Sequence, residues 1–167
     1  MFKRVLIFMA ALLVLLSSCS KPAVTKEDIA EKYKGDFKAA AECDFFGEKL
    51  VIEVTKKGGN TEFRVLSPKL PEGISAKCGE ENKLSYEGME IDAEIGALPG
   101  KSPFSELLRL FESLSAPGSF EIAKSDKEVT VNGGDFSAVL DGETLLPKFA
   151  AFDESGDEFV FGEGLFK

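Results

Sequence analysis

The sequence contains no histidine, no tryptophan and only two tyrosines. Without histidine the usual serine or cysteine triad has no base. The common zinc hydrolase sites lose a main ligand for the same reason. A sugar-cleaving site normally offers more aromatic platforms than two tyrosines supply. Carboxylate pairs are abundant, but 29 Asp and Glu among 167 residues produce such pairs by chance. No glycine-rich phosphate loop occurs. Cysteine is scarce too, with three in all. Cys43 and Cys78 have no evident base to activate them, and two thiolates do not complete a tetrahedral zinc set. The acidic stretch 153–158 (DESGDE) is a weak calcium candidate that lacks EF-hand spacing, and it reads better as a solvated hairpin turn. The expectation is a protein that is not an enzyme and uses no metal and no cofactor. Positive charge is also short: the net charge is −9, which repels nucleic acid and anionic headgroups. Charges are interspersed and 44% of the chain is hydrophobic, so a folded core is expected rather than disorder.

One apolar run is present, residues 5–16 (VLIFMAALLVLL), behind Lys3 and Arg4. As a helix it spans roughly 18 Å at about 1.5 Å per residue. A bilayer core needs about 20 residues, so the run is short for a membrane span and fits a secretory signal instead. Leu16-Ser17-Ser18-Cys19 then resembles the lipobox of bacterial lipoproteins. In those proteins the Cys thiol receives diacylglycerol and the signal is cut just before it; two or three acyl chains hold a protein where one binds only marginally. The resemblance makes 1–18 a signal peptide, Cys19 the lipid-attachment residue, 19–25 a tether and 26–167 a single domain. It implies an extracytoplasmic protein anchored to a bacterial membrane. Ser20 permits sorting to the outer membrane in a Gram-negative cell, whereas a Gram-positive cell offers only the cytoplasmic membrane. An exported chain lives where disulfides persist. A Cys43–Cys78 bridge is therefore expected, closing a loop of about 35 residues and contributing about 3–4 kcal/mol. Two buried free thiols are the alternative.

Along the domain, Thr25 caps a short helix over 26–33 with Glu27 and Asp28 in its first turn. Leu50, Ile52 and Val54 then alternate with polar neighbours, residues 57–60 (KGGN) make a turn, and Phe63 and Val65 alternate again. That is a hairpin with one apolar and one wet face. Pro68, Pro71 and Gly73 interrupt the next stretch. Strands follow at 83–86 and 89–95, where Met89, Ile91, Ala93 and Ile95 share one face. The clearest helix opens at Ser102-Pro103. Phe104, Leu107, Leu108, Phe111 and Leu114 form its apolar stripe, Glu106, Arg109 and Glu112 face elsewhere, and Pro117-Gly118 stops it. Strands near 120–124, 129–132, 136–140, 148–152 and 159–161 close the chain. The pattern predicts an α+β fold: a strongly curved antiparallel sheet of about ten strands, with a helix on its concave face.

This order of elements resembles the LolA/LolB-like lipoprotein-carrier superfamily over most of 26–167. The echoes are Ser67-Pro68 through Gly73, residues 84–88 (LSYEG), Ser102-Pro103-Phe104, and residues 145–149 (LLPKF). The resemblance implies a half-open β-barrel whose concave side receives acyl chains in an apolar cavity. Each CH2 moved out of water is worth about 0.8 kcal/mol, so a buried chain gains on the order of 10 kcal/mol. The candidate lining is Leu50, Ile52, Phe63 and Val65 on the sheet with Phe104, Leu107, Leu108 and Phe111 on the helix. The same residues also serve as an ordinary filled core, and both readings stand at this point. Two functions follow. One is a membrane-anchored carrier or binder of lipid or lipoprotein acyl chains. The other is an interaction or sensor lipoprotein that docks an envelope protein partner without lipid, as in germination or stress signalling.

Overall fold

The computed structural model describes residues 24–68, 73–95, 102–125 and 127–162. Cys19, the signal and most of the tether lie outside the described residues. Among the described residues there are two helices and eleven strands: α1 (Lys26–Lys34), β1 (Phe37–Phe45), β2 (Glu48–Lys57), β3 (Asn60–Ser67), β4 (Ser75–Cys78), β5 (Lys83–Tyr86), β6 (Met89–Asp92), α2 (Pro103–Leu114), β7 (Glu121–Lys124), β8 (Glu128–Asn132), β9 (Phe136–Asp141), β10 (Pro147–Phe152) and β11 (Glu158–Phe161).

All eleven strands form one antiparallel sheet in the order β6-β5-β4-β3-β2-β1-β11-β10-β9-β8-β7. It is two meanders joined in the middle, where Ala41 pairs with Phe161 and Cys43 with Phe159. The strands preceding and following α2, β6 and β7, are the two outer edges of the sheet. The barrel is therefore open between them. The α+β class, the helix between sixth and seventh strands and the count of about ten strands, eleven among the described residues, are as expected. The strands missing from the sequence reading are β1 and β4.

The concave face carries the core. Ile52, Val54, Phe63, Val65, Ala76, Ala39, Ala41, Phe159, Ala150, Phe152, Ala138, Leu140 and Val131 are all buried. The convex face is wet and holds ion pairs such as Lys38–Glu53 at 2.7 Å. This is the alternation that a sheet with one solvated face requires. Thr25 starts α1 with a capping box. Its hydroxyl accepts from the Asp28 amide at 3.2 Å, and the Asp28 carboxylate accepts from the Thr25 amide at 2.7 Å. Ile29, Ala30 and Tyr33 of α1 are buried, and the Tyr33 hydroxyl donates to the Leu145 carbonyl at 2.8 Å.

Three expectations need correction. Cys43 and Cys78 are buried free thiols, not a bridge. Cys78 pairs with Thr61, Thr61 with Lys56 and Lys56 with Phe37, so the row through Cys78 meets β1 at Phe37. Cys43 lies about 20 Å further along β1 at ~3.4 Å per residue, whereas a disulfide needs Cα atoms within about 7 Å. Burial pushes the Cys43 thiol up to about 12 and the Cys78 thiol up to about 11, and nearby carboxylates reinforce both shifts. Second, Met89 and Ile91 are exposed at 65% and 59%. They sit on an edge strand that ends at Asp92; beyond it Ala93 packs partly against the core and Ile95 is buried in it. Third, α2 buries Leu107, Leu110, Phe111, Leu114 and also Glu106, while Leu108 is half-buried. The helix lies in a trough, with the sheet beneath it and α1 alongside, where Tyr33 meets Phe111 with ring centroids 5.8 Å apart. The buried arc is therefore wider than a surface stripe and is rotated toward Leu110.

Candidate functional site

α2 meets the sheet differently at its two ends. Its later turns carry Leu107, Leu110, Phe111 and Leu114 into a filled core. Phe111 packs among Tyr33, Phe37 and Phe161, at 4.8 Å between centroids for Phe37. Its first turn stands over an open apolar pocket of about 620 Å³. Leu50 and Ile52 of β2 and Val65 of β3 line it, with Pro68 and Ile74 from the turn between β3 and β4, and Pro103 and Phe104 from the helix. Phe45, Phe46 and Glu48 of the β1–β2 hairpin complete the wall, together with Ser102. Such a volume is within the roughly 300–1,000 Å³ of small-molecule sites. Among the described residues of this lining, Glu48 is the one ionisable side chain. The Ser102 hydroxyl makes no capping bond to the helix.

Local sequence explains the shape. Pro at the first helical position costs no hydrogen bond, because that amide has no partner in a helix anyway. Pro103 therefore starts α2 abruptly at the pocket wall. Phe104 leans on Phe63, with ring centroids 5.9 Å apart, and this pair separates the pocket from the core behind it. At the hairpin, Phe45 pairs with Glu48 across a two-residue turn. Phe46 has φ 53° and Gly47 φ 81°, the geometry that matches strand twist in tight hairpins and normally selects Asn-Gly. Asp44 steadies the turn by accepting from the Gly47 amide at 3.0 Å. Phe46 is 93% exposed and touches Phe45 edge-on at 4.5 Å.

Of the eight lining candidates read from the sequence, the structure brings Leu50, Ile52, Val65 and Phe104 to the pocket. Phe63, Leu107 and Phe111 are core residues. Leu108 borders a separate pocket of about 380 Å³ among Asn82, Glu94 and Glu112. Phe45, Phe46 and Ile74 were not singled out. Their signals were the Phe45-Phe46-Gly47 turn and an isoleucine directly after Gly73.

On the flank of α2, Glu106 is 3% exposed, beside Ser155 and Asp157 of the β10–β11 turn. Its Oε2 and the Nε of Arg109 have no hydrogen-bond partner. Burial, seconded by Asp157, raises the Glu106 carboxyl above its ordinary range. Arg109 reaches Asp135 and lies 5.3 Å from the Phe152 ring centre. Among the described residues no cluster of metal-ligating side chains occurs, and no helix is long and apolar enough to cross a membrane.

No protein-family model matches the chain, and no curated protein does. Solved structures do. An uncharacterized conserved protein from Thermus thermophilus is similar at TM-score 0.54 and 13% identity, over 85% of this chain and 84% of that one. A LolA superfamily protein from Nitrosomonas europaea is similar at 0.43 and 14%, over 87% and 92%. A domain assigned to outer membrane lipoprotein sorting from Vibrio parahaemolyticus is similar at 0.43 and 10%, over 84% and 90%. At such identities the first likeness speaks of fold. The unclosed antiparallel sheet with α2 across its concave face is the half-open barrel that was expected from the sequence.

Proposed function

We propose that this chain is a lipid-anchored envelope protein that binds or carries acyl chains in the pocket beneath the first turn of α2. The observation that carries the reading is the pocket itself: about 620 Å³, walled by Leu50, Ile52, Val65, Ile74 and Phe104, and left open in a domain whose other end is filled. An unfilled apolar wall loses dispersion contacts, so a ligand that restores them is the physical complement. The Leu16–Cys19 lipobox supports the anchor and the extracytoplasmic location. The mechanism is transfer between two apolar phases and forms no covalent bond.

Two experiments test this. Native mass spectrometry of the full chain incubated with bacterial lipid extract supplemented with free fatty acid and lysophospholipid is expected to show bound lipid, lost in Ile74→Glu that keeps its circular dichroism. A ligand-free mass, where a known carrier loads from the same extract, overturns the reading. Separately, intact-mass analysis of the membrane fraction is expected to find diacylglycerol on Cys19 and none on Cys19→Ala.

A second reading, docking of an envelope protein without lipid, is favoured by exposed Met89 and Ile91 on edge strand β6. Edge strands offer unpaired backbone groups to a partner. Crosslinks from β6 at the cell surface, with an empty pocket, identify that case.

A further inference from the structure

We propose that the pocket admits one alkyl chain at a time, so that its ligands are single-chain lipids whose polar heads stay in solvent; this rests on the lipid-binding reading above. Volume sets the limit. A methylene takes about the space of a water molecule in the liquid, ~30 Å³, so about 620 Å³ accommodates one chain of ordinary bacterial length and not two.

The pocket has little room to grow inward. Phe63, at its back, is fully buried against Phe104 at 5.9 Å. Behind them Leu107, Leu110 and Phe111 are packed at 2% exposure or less. Interiors packed at this density do not open for a second chain without displacing side chains. Nor is a second apolar compartment found among the other described pockets. Two further pockets, each of about 380 Å³, are lined largely by charged and polar residues: Lys57, Glu62, Lys77, Glu80 and Glu81 in one, Asn82, Glu94 and Glu112 in the other. A diacyl lipid would therefore leave one chain in water. The described lining brings one carboxylate, Glu48, and no cation to the head, so the chain supplies the affinity.

The test is equilibrium transfer from phosphatidylcholine vesicles to the full chain, held in a steroid-based detergent below its micelle-forming concentration because such a detergent has no alkyl chain of its own. The ligands are a lysophosphatidylcholine and a phosphatidylcholine with the same acyl chain, so the head is constant. The expected result is a preference for the single-chain lipid of at least about 100-fold, since each methylene stranded in water costs roughly a factor of four. Equal transfer of the two overturns the one-chain limit and leaves lipid binding standing. Transfer of neither overturns lipid binding itself. Ile74→Trp, which narrows the pocket at a half-buried wall position, is expected to shift the preferred lysolipid to shorter chains. An unchanged preference in that folded variant overturns the assignment of the chain to this pocket.

Discussion

The two ends of α2 are made of similar residues and do opposite things. Phe104 and Phe111 are phenylalanines on one helix, two turns apart. Phe111 is enclosed by Tyr33 of α1, Phe37 of β1 and Phe161 of β11. Phe104 has Phe63 beneath it and open space beside it. The difference comes from what covers each end. α1 lies beside the far end of α2, and the small side chains of Ala39 and Ala41 leave space on the sheet for the aromatic cluster between. No described element plays the part of α1 over the first turn. Apolar composition alone does not make a pocket; what the described elements leave uncovered does.

Substitutions at matched positions break this comparison most directly. Phe111→Ala is expected to cost about 3–5 kcal/mol of stability, the range for a fully buried aromatic that leaves a cavity, read by urea denaturation. Phe104→Ala is expected to cost less than half as much, because one side of that ring already faces open space, and yet to abolish lipid binding by native mass spectrometry. Equal losses of stability at both positions would show that the first turn is as filled as the last.

How far this was legible in the sequence follows the same division. α2 was readable because a capped, proline-started run with apolar residues at helical spacing has few alternatives. Its rotation was not. Leu108 and Leu110 fit helical stripes about equally well, and only the trough between α1 and the sheet selects Leu110. β1 was missed because Ala39, Ala40 and Ala41 are all buried and give no period-two contrast. The disulfide failed for a related reason. Sequence separation says how long a loop is, not which row of a sheet each cysteine occupies. Four of the eleven described lining residues were found, Leu50, Ile52, Val65 and Phe104, since β2, β3 and α2 have clean periods. Phe46, Pro68 and Ile74 sit in turns, where apolar residues follow no period.

A smaller effect sharpens the contrast on the flank of α2. Glu106 is held beside Asp157 with an unpartnered oxygen in a buried site, so its carboxyl titrates higher in the folded chain than in the unfolded one. The native state then binds the proton more strongly. This contribution to stability is fully present below the unfolded carboxylate range and is lost as pH rises through the raised folded value. Glu106→Gln is expected to stabilise the protein at neutral pH by about 1 kcal/mol, by removing a charge that burial disfavours. It should also flatten the fall of stability above the ordinary carboxylate range. Thermal melts across that range check the sign; a variant whose stability still falls with the wild-type slope would place the titration elsewhere.

The smallest effect on stability is expected at the most exposed aromatic. Phe46 adopts φ 53° with its ring 93% in water. A side chain in the left-handed region costs roughly 1–2 kcal/mol relative to glycine, and an exposed ring recovers little of that by burial. Glycine there also carries more freedom in the unfolded chain, which offsets part of the gain. Phe46→Gly should therefore be neutral or more stable by about 0.5–1 kcal/mol, measured by denaturant midpoint at constant slope. For lipid capture the expectation reverses: the variant loses an apolar wall at the edge of the pocket and should bind single-chain lipid several-fold more weakly. Backbone strain retained where packing gives no return points to function at that position. A variant that is more stable and binds equally well would remove Phe46 from the site and leave the pocket to Leu50, Ile52, Val65, Ile74 and Phe104.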